Sequence, residues 1–328
     1  MNFRTDISTA ARIAASPPER PLVSVLVPTY DRPDQLALCL EALSRQSVLP
    51  DEVIVVVRES DHETRKFLRE SCPDNLHMRC PVISFAGQVA SLNLGLETAA
   101  GDIIAITDDD TRPHPDWIEK LVGHFVAHPE VVGVGGRDNT YFNGKPDLGT
   151  RKVVGKIQWF GRIIGLHHHG AGPVRDVDFL KGANMAFRRA SIGDVRFDDR
   201  LRGPGAQWYN DTAFCLALRR GGARLIYDPA LVVDHFPGAK PGYDQREVFN
   251  ARAAVDHAHN YTLLVLDNVS PLRRIVFLVW AMLIGLRVMP GFANWIRLRL
   301  TGEKNADEQF RAAIRGLLQG AGSWLLTV

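Results

Sequence analysis

The chain has 328 residues, is 45% hydrophobic and 23% charged, and carries a net charge of +2. That composition supports a large packed core and excludes a disordered or low-complexity chain. The near-neutral balance provides no basic field, so no nucleic-acid partner is expected.

Residues 1–20, "MNFRTDISTAARIAASPPER", lack the long apolar centre of a signal peptide and read as a loosely ordered arm. "LVSVLVPTY" (22–30) is β-branched and apolar, which predicts a buried strand. "RPDQLALCLEALSRQ" (32–46) spaces Leu36, Leu40 and Leu43 as one face of a helix. "DEVIVVVRESD" (51–61) predicts a second strand, "HETRKFLRES" (62–71) a short helix, and "PVISF" (81–85) a third strand. "QVASLNLGLETAAG" (88–101) predicts a helix closed by Gly101. "DIIAITD" (102–108) is a fourth strand, and "DWIEKLVGHFVAH" (116–128) a helix with Asp116 as N-cap. Strands alternating with helices predict an α/β fold with a mostly parallel sheet flanked by helices. Ligands of such sheets bind beyond the carboxyl ends of the strands, here after Thr29, Val57 and Thr107.

Further on, "VVGVGG" (131–136) predicts a strand and "FLKGANMAFRR" (179–189) a loop or strand. "NDTAFCLALRRGG" (210–222) predicts a helix with a Gly stop, and "ARLIYDPALVVDHF" (223–236) one or two short strands. Cys39, Cys72, Cys80 and Cys215 form no Cys-x-x-Cys pair and read as reduced thiols of a cytosolic protein. In "PLRRIVFLVWAMLIGLRVMPGFANWIRLRL" (271–300) the uninterrupted apolar run is about 12 residues, short of the roughly 20 a spanning helix needs. Flanking arginines and tryptophans predict a helix lying in a membrane interface. A core-packing or dimer-forming helix pair, or a true span, are the alternatives.

"GDIIAITDDDTRPHPDW" (101–117) drives a strand into three aspartates. Adjacent buried carboxylates are costly unless a cation resolves their repulsion. In extended backbone Asp108 and Asp110 face one side and Asp109 the other. Few carboxylates with room for water and phosphate oxygens suit Mg²⁺ or Mn²⁺. A calcium loop is excluded, because Arg112 and Pro113 fall where that loop needs a ligand and a turn glycine. A solvated acidic turn leading into the helix at Asp116 remains the alternative on these residues alone.

"VSVLVPTYDRPDQLALCLEALSRQ", "NLGLETAAGDIIAITDDD", "KGANMAFRR" and "NDTAFCLALRRGGARLIYDPALVVDH" occur in that order. Together they resemble the family 2 glycosyltransferases with the GT-A fold, over roughly residues 22 to 236. The resemblance implies sugar transfer from a nucleotide-sugar donor, with inversion at the anomeric carbon, and a Mg²⁺ or Mn²⁺ cofactor. It implies that Pro28, Thr29 and Tyr30 line the nucleoside pocket and that Asn93 precedes the DxD strand. It further implies that Asp108, Asp109 and Asp110 meet ribose and metal-bound diphosphate, with Asp110 and His235 at the metal. Gly182, Ala183 and Asn184 match the loop beneath the donor sugar, and Asp211 the general base. Two departures stand out. The second strand ends in Arg58, Glu59, Ser60 and Asp61, so Glu59 or Asp61 supplies the carboxylate for the base. Asn210 replaces the usual glutamate before Asp211.

Trp208 and Tyr209 are candidates for acceptor contact, since aromatic faces suit sugar rings. "HHHG" (167–170) reads as a surface or acceptor-side loop, because no Cys or acidic partner adjoins it in sequence. "GVGGR" (133–137) lacks the dinucleotide fingerprint. The expected organisation is an arm (1–20), a GT-A domain (21–240) and a C-terminal helical region (241–328). Within the domain, 21–130 form the nucleotide-binding half and 131–240 the acceptor half. The expected acceptor is a saccharide or lipid-linked saccharide in cell-surface polysaccharide or glycolipid synthesis. The expected place is cytoplasmic, with peripheral contact at the inner face of the cell membrane. A degenerate GT-A scaffold and a nucleotidyltransferase are the rivals. The latter normally needs a Gly-rich basic loop, which "VPTYDRPDQ" is not.

Overall fold

The computed structural model describes residues 20–238 and 249–327. All of the expected N-terminal arm except Arg20 lies outside the described residues. The first half is built from β1 (Val23–Thr29), α1 (Pro33–Ser44), β2 (Glu52–Arg58), α2 (His62–Glu70), α3 (Gln88–Thr98), β3 (Ile103–Ile106), β4 (Thr111–Pro113) and α4 (Trp117–Ala127). The second half adds β5 (Val131–Phe142), β6 (Arg175–Val177), β7 (Met185–Arg188), α5 (Asn210–Arg220) and β8 (Arg224–His235). Helices α6 (Ala251–Asn268), α7 (Pro271–Leu283), α8 (Phe292–Leu300) and α9 (Ala306–Leu325) follow.

The central sheet runs β6-β8-β5-β7-β3-β1-β2 and ends in the short strand Met78–Arg79. Strand β1 is parallel to both β2 and β3. Strand β7 is antiparallel to its neighbours β3 and β5, while β8 returns parallel to β5. Every residue of β1 is buried, as an apolar strand covered on both faces requires. One face packs Leu26, Ile54 and Ile104 against α3 and α5; the other packs Val25, Val53 and Val55 against α1 and α4.

Helix α3 lies directly on β1. A Cβ at Gly95 would fall 2.1 Å from Leu26 Cδ1, so a side chain there would lift the helix off the sheet. Gly101 does not close α3, contrary to expectation. The helix ends at Thr98, Ala99 is extended, and Gly101 N donates to Ser24 Oγ at 2.8 Å as the chain passes beneath β1. Asp116 stands at the N-cap of α4 but makes no side-chain cap; its carboxylate meets Lys120 at 2.7 Å instead. The apolar stretch 271–300 is two helices, α7 and α8, joined by a tight hairpin in which Gly285 takes φ +83°.

The C-terminal helices share a core through Tyr261, Val265, Phe277 and Leu317. Leu263 and Leu264 of α6 join the main core. Leu272, Ile275, Val279, Met282 and Leu283 of α7 are exposed, as are Phe292, Ile296 and Leu300 of α8. Their spacing of three and four residues makes a continuous apolar stripe along one face of each helix. Arg287, Arg297 and Arg299 are exposed beside it. Among the described residues no helix is long and apolar enough to cross a membrane.

Candidate functional site

The carboxyl ends of β1 and β3 lie side by side, because Leu26 pairs with Ile106 in parallel register. Beyond β3 the chain turns tightly at 108–111, closed by Thr111 N donating to Asp108 O at 3.2 Å. Thr107 Oγ1 braces the turn by donating to Ala183 O at 2.8 Å. Strand β8 then meets β4 antiparallel, pairing His235 with Thr111. This sets the histidine beside Asp110, whose carbonyl accepts from Phe236 N at 2.9 Å.

The result is a cluster. One ligand atom each from Asp108, Asp110 and His235 lie within 4.8 Å of one another. His235 Nε2 stands 3.3 Å from Asp110 Oδ1, and its Nδ1 stands 3.5 Å from Asp138 Oδ2. Burial alone would lower the His235 pKa, but the Asp110 and Asp138 carboxylates outweigh it and push it up to about 9. Two carboxylates and an imidazole converging at one point fit a small divalent cation that keeps open positions for phosphate oxygens. Asp109 is turned to partners of its own. It accepts from Thr29 Oγ1 at 2.8 Å and from Arg32 Nη1 at 3.1 Å. Burial, and then Asp110, push its pKa up to about 7. Asp109 and Thr29 together lock the turn.

Several contributing residues were not among those singled out from sequence. Arg32 Nη1 spans Asp109 and Asp110, reaching the latter at 3.0 Å. Gln88, at the start of α3, donates to Asp108 Oδ1 at 3.3 Å and accepts from Asn210 Nδ2 at 3.2 Å. Asn210 thus links the acidic turn to α5. Lys181 is ion-paired with Asp138. Burial would depress its pKa, but Asp138, then Asp211 and Asp108, raise it. Asp138 is correspondingly held low by Lys181 and His235 against the effect of burial.

Asp211 sits in the first turn of α5. Its Oδ2 accepts from Gly182 N at 2.9 Å, and its Oδ1 from Thr212 N at 2.6 Å. Gly182 thus belongs to the site by its backbone. Tyr30 is half-exposed after β1, and the Arg58 guanidinium lies 4.4 Å over its ring. Pro28 is buried within β1, two residues before it. Glu59 is exposed.

Four further expected site residues are engaged with other parts of the protein. Asn93 turns away from the acidic turn, its Nδ2 donating to Phe197 O at 2.9 Å and its Oδ1 accepting from Phe197 N at 2.8 Å. Asn184 is 1% exposed and fully engaged: it accepts from Trp117 Nε1 at 2.9 Å and donates to Arg137 O and Leu231 O. Asp61 caps α2 through Thr64 N and accepts from Asp31 N at 2.5 Å, fixing that residue at φ +56°. Tyr209 packs on Tyr261, and its hydroxyl lies 2.8 Å from His257 Nε2, so it joins α5 to α6. Trp208 is half-buried with its ring edge-on to His257 at 4.4 Å. The histidine run also differs from expectation, because Asp147 supplies an acidic partner from elsewhere in the chain.

Residues 24–194 match the model of the family described as glycosyl transferase family 2. The chain belongs to that family. Among curated relatives, the glucosyl-dolichyl phosphate glucuronosyltransferase of Haloferax volcanii is 27% identical over 221 residues, covering 65% of this chain and 68% of that one. Glycosyltransferase AglE of the same organism is 33% identical over 129 residues, covering 38% and 42%. Chondroitin synthase of Escherichia coli is 28% identical over 195 residues, covering 53% of this chain and 28% of that one. Among solved structures, S. aureus TarS 1-349 in complex with UDP-GlcNAc superposes with TM-score 0.60 at 15% identity, over 91% of this chain and 81% of that one. The mannosyltransferase PcManGT of Pyrobaculum calidifontis, in complex with GDP-Man and Mn²⁺, gives 0.53 at 18% identity, over 96% and 90%. This glycosyltransferase therefore has the GT-A fold, with a curled, mixed central sheet and helices on both faces.

Proposed function

We propose that this family 2 glycosyltransferase moves a sugar, with inversion, from a nucleotide-sugar donor to a saccharide or lipid-linked saccharide acceptor. The convergence of Asp108, Asp110 and His235 within 4.8 Å at the carboxyl edge of the sheet carries the reading. Those three side chains would hold Mg²⁺ or Mn²⁺. Such an ion, when bound, supplies positive charge for the diphosphate as it leaves.

The chain's own groups supply the remainder. Lys181, braced by Asp138, lies within electrostatic reach of both Asp108 and Asp211 and offers a fixed cation to the leaving phosphates. The half-exposed Tyr30 ring with the Arg58 guanidinium over it forms a platform at the end of β1 and β2 on which a nucleoside base stacks. Glu59, exposed beside it, is the carboxylate left to hydrogen-bond the base, since Asp61 is engaged in its loop.

Asp211 acts as general base. Gly182 N and Thr212 hold its carboxylate, so that it takes the acceptor hydroxyl proton as the new bond forms. The chain Asn210–Gln88–Asp108 ties the base-bearing helix to the acidic turn and fixes the distance between the two ends of the reaction. Glycan-building relatives, one acting on a dolichyl phosphate by its name, support a lipid-linked or polysaccharide acceptor. The apolar stripe on α7 and α8, rimmed by arginines, supports peripheral seating on an anionic membrane surface.

The decisive experiment is Asp211→Asn assayed against UDP-, GDP- and dTDP-sugars with Mn²⁺. Transfer should fall by at least about a hundredfold while nucleotide-sugar affinity stays near wild type. Undiminished turnover would reject Asp211 as the base. Failure of the wild-type protein to bind any of these donors would reject the donor class.

A further inference from the structure

A second group of metal-ligating atoms lies outside the donor edge. Asp147, His168 and His169 each offer one ligand atom, and all lie within 4.8 Å of one another. Asp147 follows the short strand Lys145–Pro146, which folds back on β5, and its N–H donates to Thr140 O at 2.7 Å. The two histidines occupy the 3₁₀ turn His167–His169. His168 Nε2 stands 3.5 Å from Asp147 Oδ2. His169 Nε2 stands 3.1 Å from Asp147 Oδ1, off the line that a hydrogen bond needs. This buried nitrogen has no hydrogen-bond partner among the described residues.

The surroundings hold that arrangement in place. Arg137 Nε donates to His168 O at 3.1 Å, and Arg151 N to His169 O at 2.7 Å. A Cβ at Gly149 would come within 2.7 Å of the His169 ring, so the loop closes on that ring only because the residue is glycine. Leu166, just before the turn, takes φ +55°, a left-handed conformation that is strained for a branched side chain. In the turn that follows, the adjacent imidazoles of His168 and His169 have ring centroids 4.0 Å apart.

We propose that Asp147, His168 and His169 form a zinc-type metal site distinct from the donor-side cluster. Two imidazoles favour Zn²⁺ over Mg²⁺ or Ca²⁺, and three protein ligands leave one tetrahedral position for water. The buried His169 Nε2, which makes no hydrogen bond, faces Asp147 across the point where such an ion would sit. The ion would fasten the 147–169 segment against β5. His167, on the same turn, reaches into the core, with Nε2 3.1 Å from Phe179 O and its ring against Phe179 and Tyr227. Phe179 begins the loop whose Gly182 holds Asp211. The site is thereby a structural pin for the acceptor half.

The test uses the full-length protein, stripped of metal and titrated with ZnCl₂ against a chromophoric chelator, with millimolar Mg²⁺ present to fill the donor edge. Wild type and Asp110→Asn should each bind one tight Zn²⁺ and gain thermal stability from it. His168→Gln/His169→Gln should weaken that binding by about a hundredfold or more. Asp147→Asn, altered at a partly exposed side chain, should weaken it in the same direction and serves where the double variant does not fold. Co²⁺ in place of zinc should give tetrahedral visible absorption in Asp110→Asn, and a much weaker signal at the same Co²⁺ concentration in Asp110→Asn/Asp147→Asn. Zinc affinity unchanged in the Asp147 variant, or wild-type binding that Mg²⁺ abolishes, would overturn the proposal.

Discussion

Asn184 offers the sharpest choice between a ligand-binding role and a structural one. The structure gives its amide three buried partners: the Trp117 indole N–H at 2.9 Å, and the carbonyls of Arg137 and Leu231 at 3.0 and 2.9 Å. Asn184→Ala removes all three hydrogen bonds and strands one donor and two acceptors in a site that is 1% exposed. Each stranded group costs about 1–3 kcal/mol, with carbonyls at the lower end. Partial collapse of the site returns some of this, so the expected loss is about 3–5 kcal/mol. Urea unfolding reads it as a lowered midpoint at unchanged slope. Nucleotide-sugar affinity, measured below the transition, should stay within about threefold of wild type, well under 1 kcal/mol. A stability loss under about 1 kcal/mol together with a tenfold loss of donor affinity would refute the bracing role. It would return Asn184 to the donor pocket.

In the metal-free protein, His235 has a pKa of about 9, against roughly 6.5 for an unperturbed histidine. Its protonated form therefore stabilises the fold fully below about pH 6.5 and loses that contribution as pH rises through about 9. His235→Gln should flatten the pH dependence of stability in that window, and Mn²⁺ binding to wild type should release a proton, seen by calorimetry in two buffers of different ionisation enthalpy. On α7, Ile275→Glu/Val279→Glu should lower partition onto anionic liposomes by at least about tenfold, since each apolar side chain contributes about 1.5–3 kcal/mol when fully buried. The melting temperature should not change, because both side chains are exposed in the free protein; unchanged partition would remove these helices from any membrane role.

Periodicity and strand endings made most of the framework legible: β1, α1, β2, β3, α4 and α5 lie close to where the sequence sets them. The acidic turn was legible because charge at a strand end is visible in one dimension, whereas Asp211 was singled out only by the family resemblance. Their partners were not. Arg32, Gln88, Asp138 and Lys181 come from four separate segments, and only the sheet order brings them together. Gln88 and Asn93 illustrate the limit. They lie five residues apart on α3, about 140° around the helix, so one faces Asp108 and the other Phe197. The hairpin that divides residues 271–300 depends on Gly285 at positive φ packed against Gly291, a contact that hydropathy does not report.

Arg32 touches Asp109 and Asp110 together. The acidic turn therefore has a resident counter-charge from the moment it folds, and its assembly does not wait on any ion. A cation entering at Asp110 would share that carboxylate with a guanidinium already in contact with it. Its grip on the protein alone would thereby be loosened, and phosphates it carried would have to contribute the rest. Such an arrangement favours metal arriving and leaving with its nucleotide over metal that stays behind.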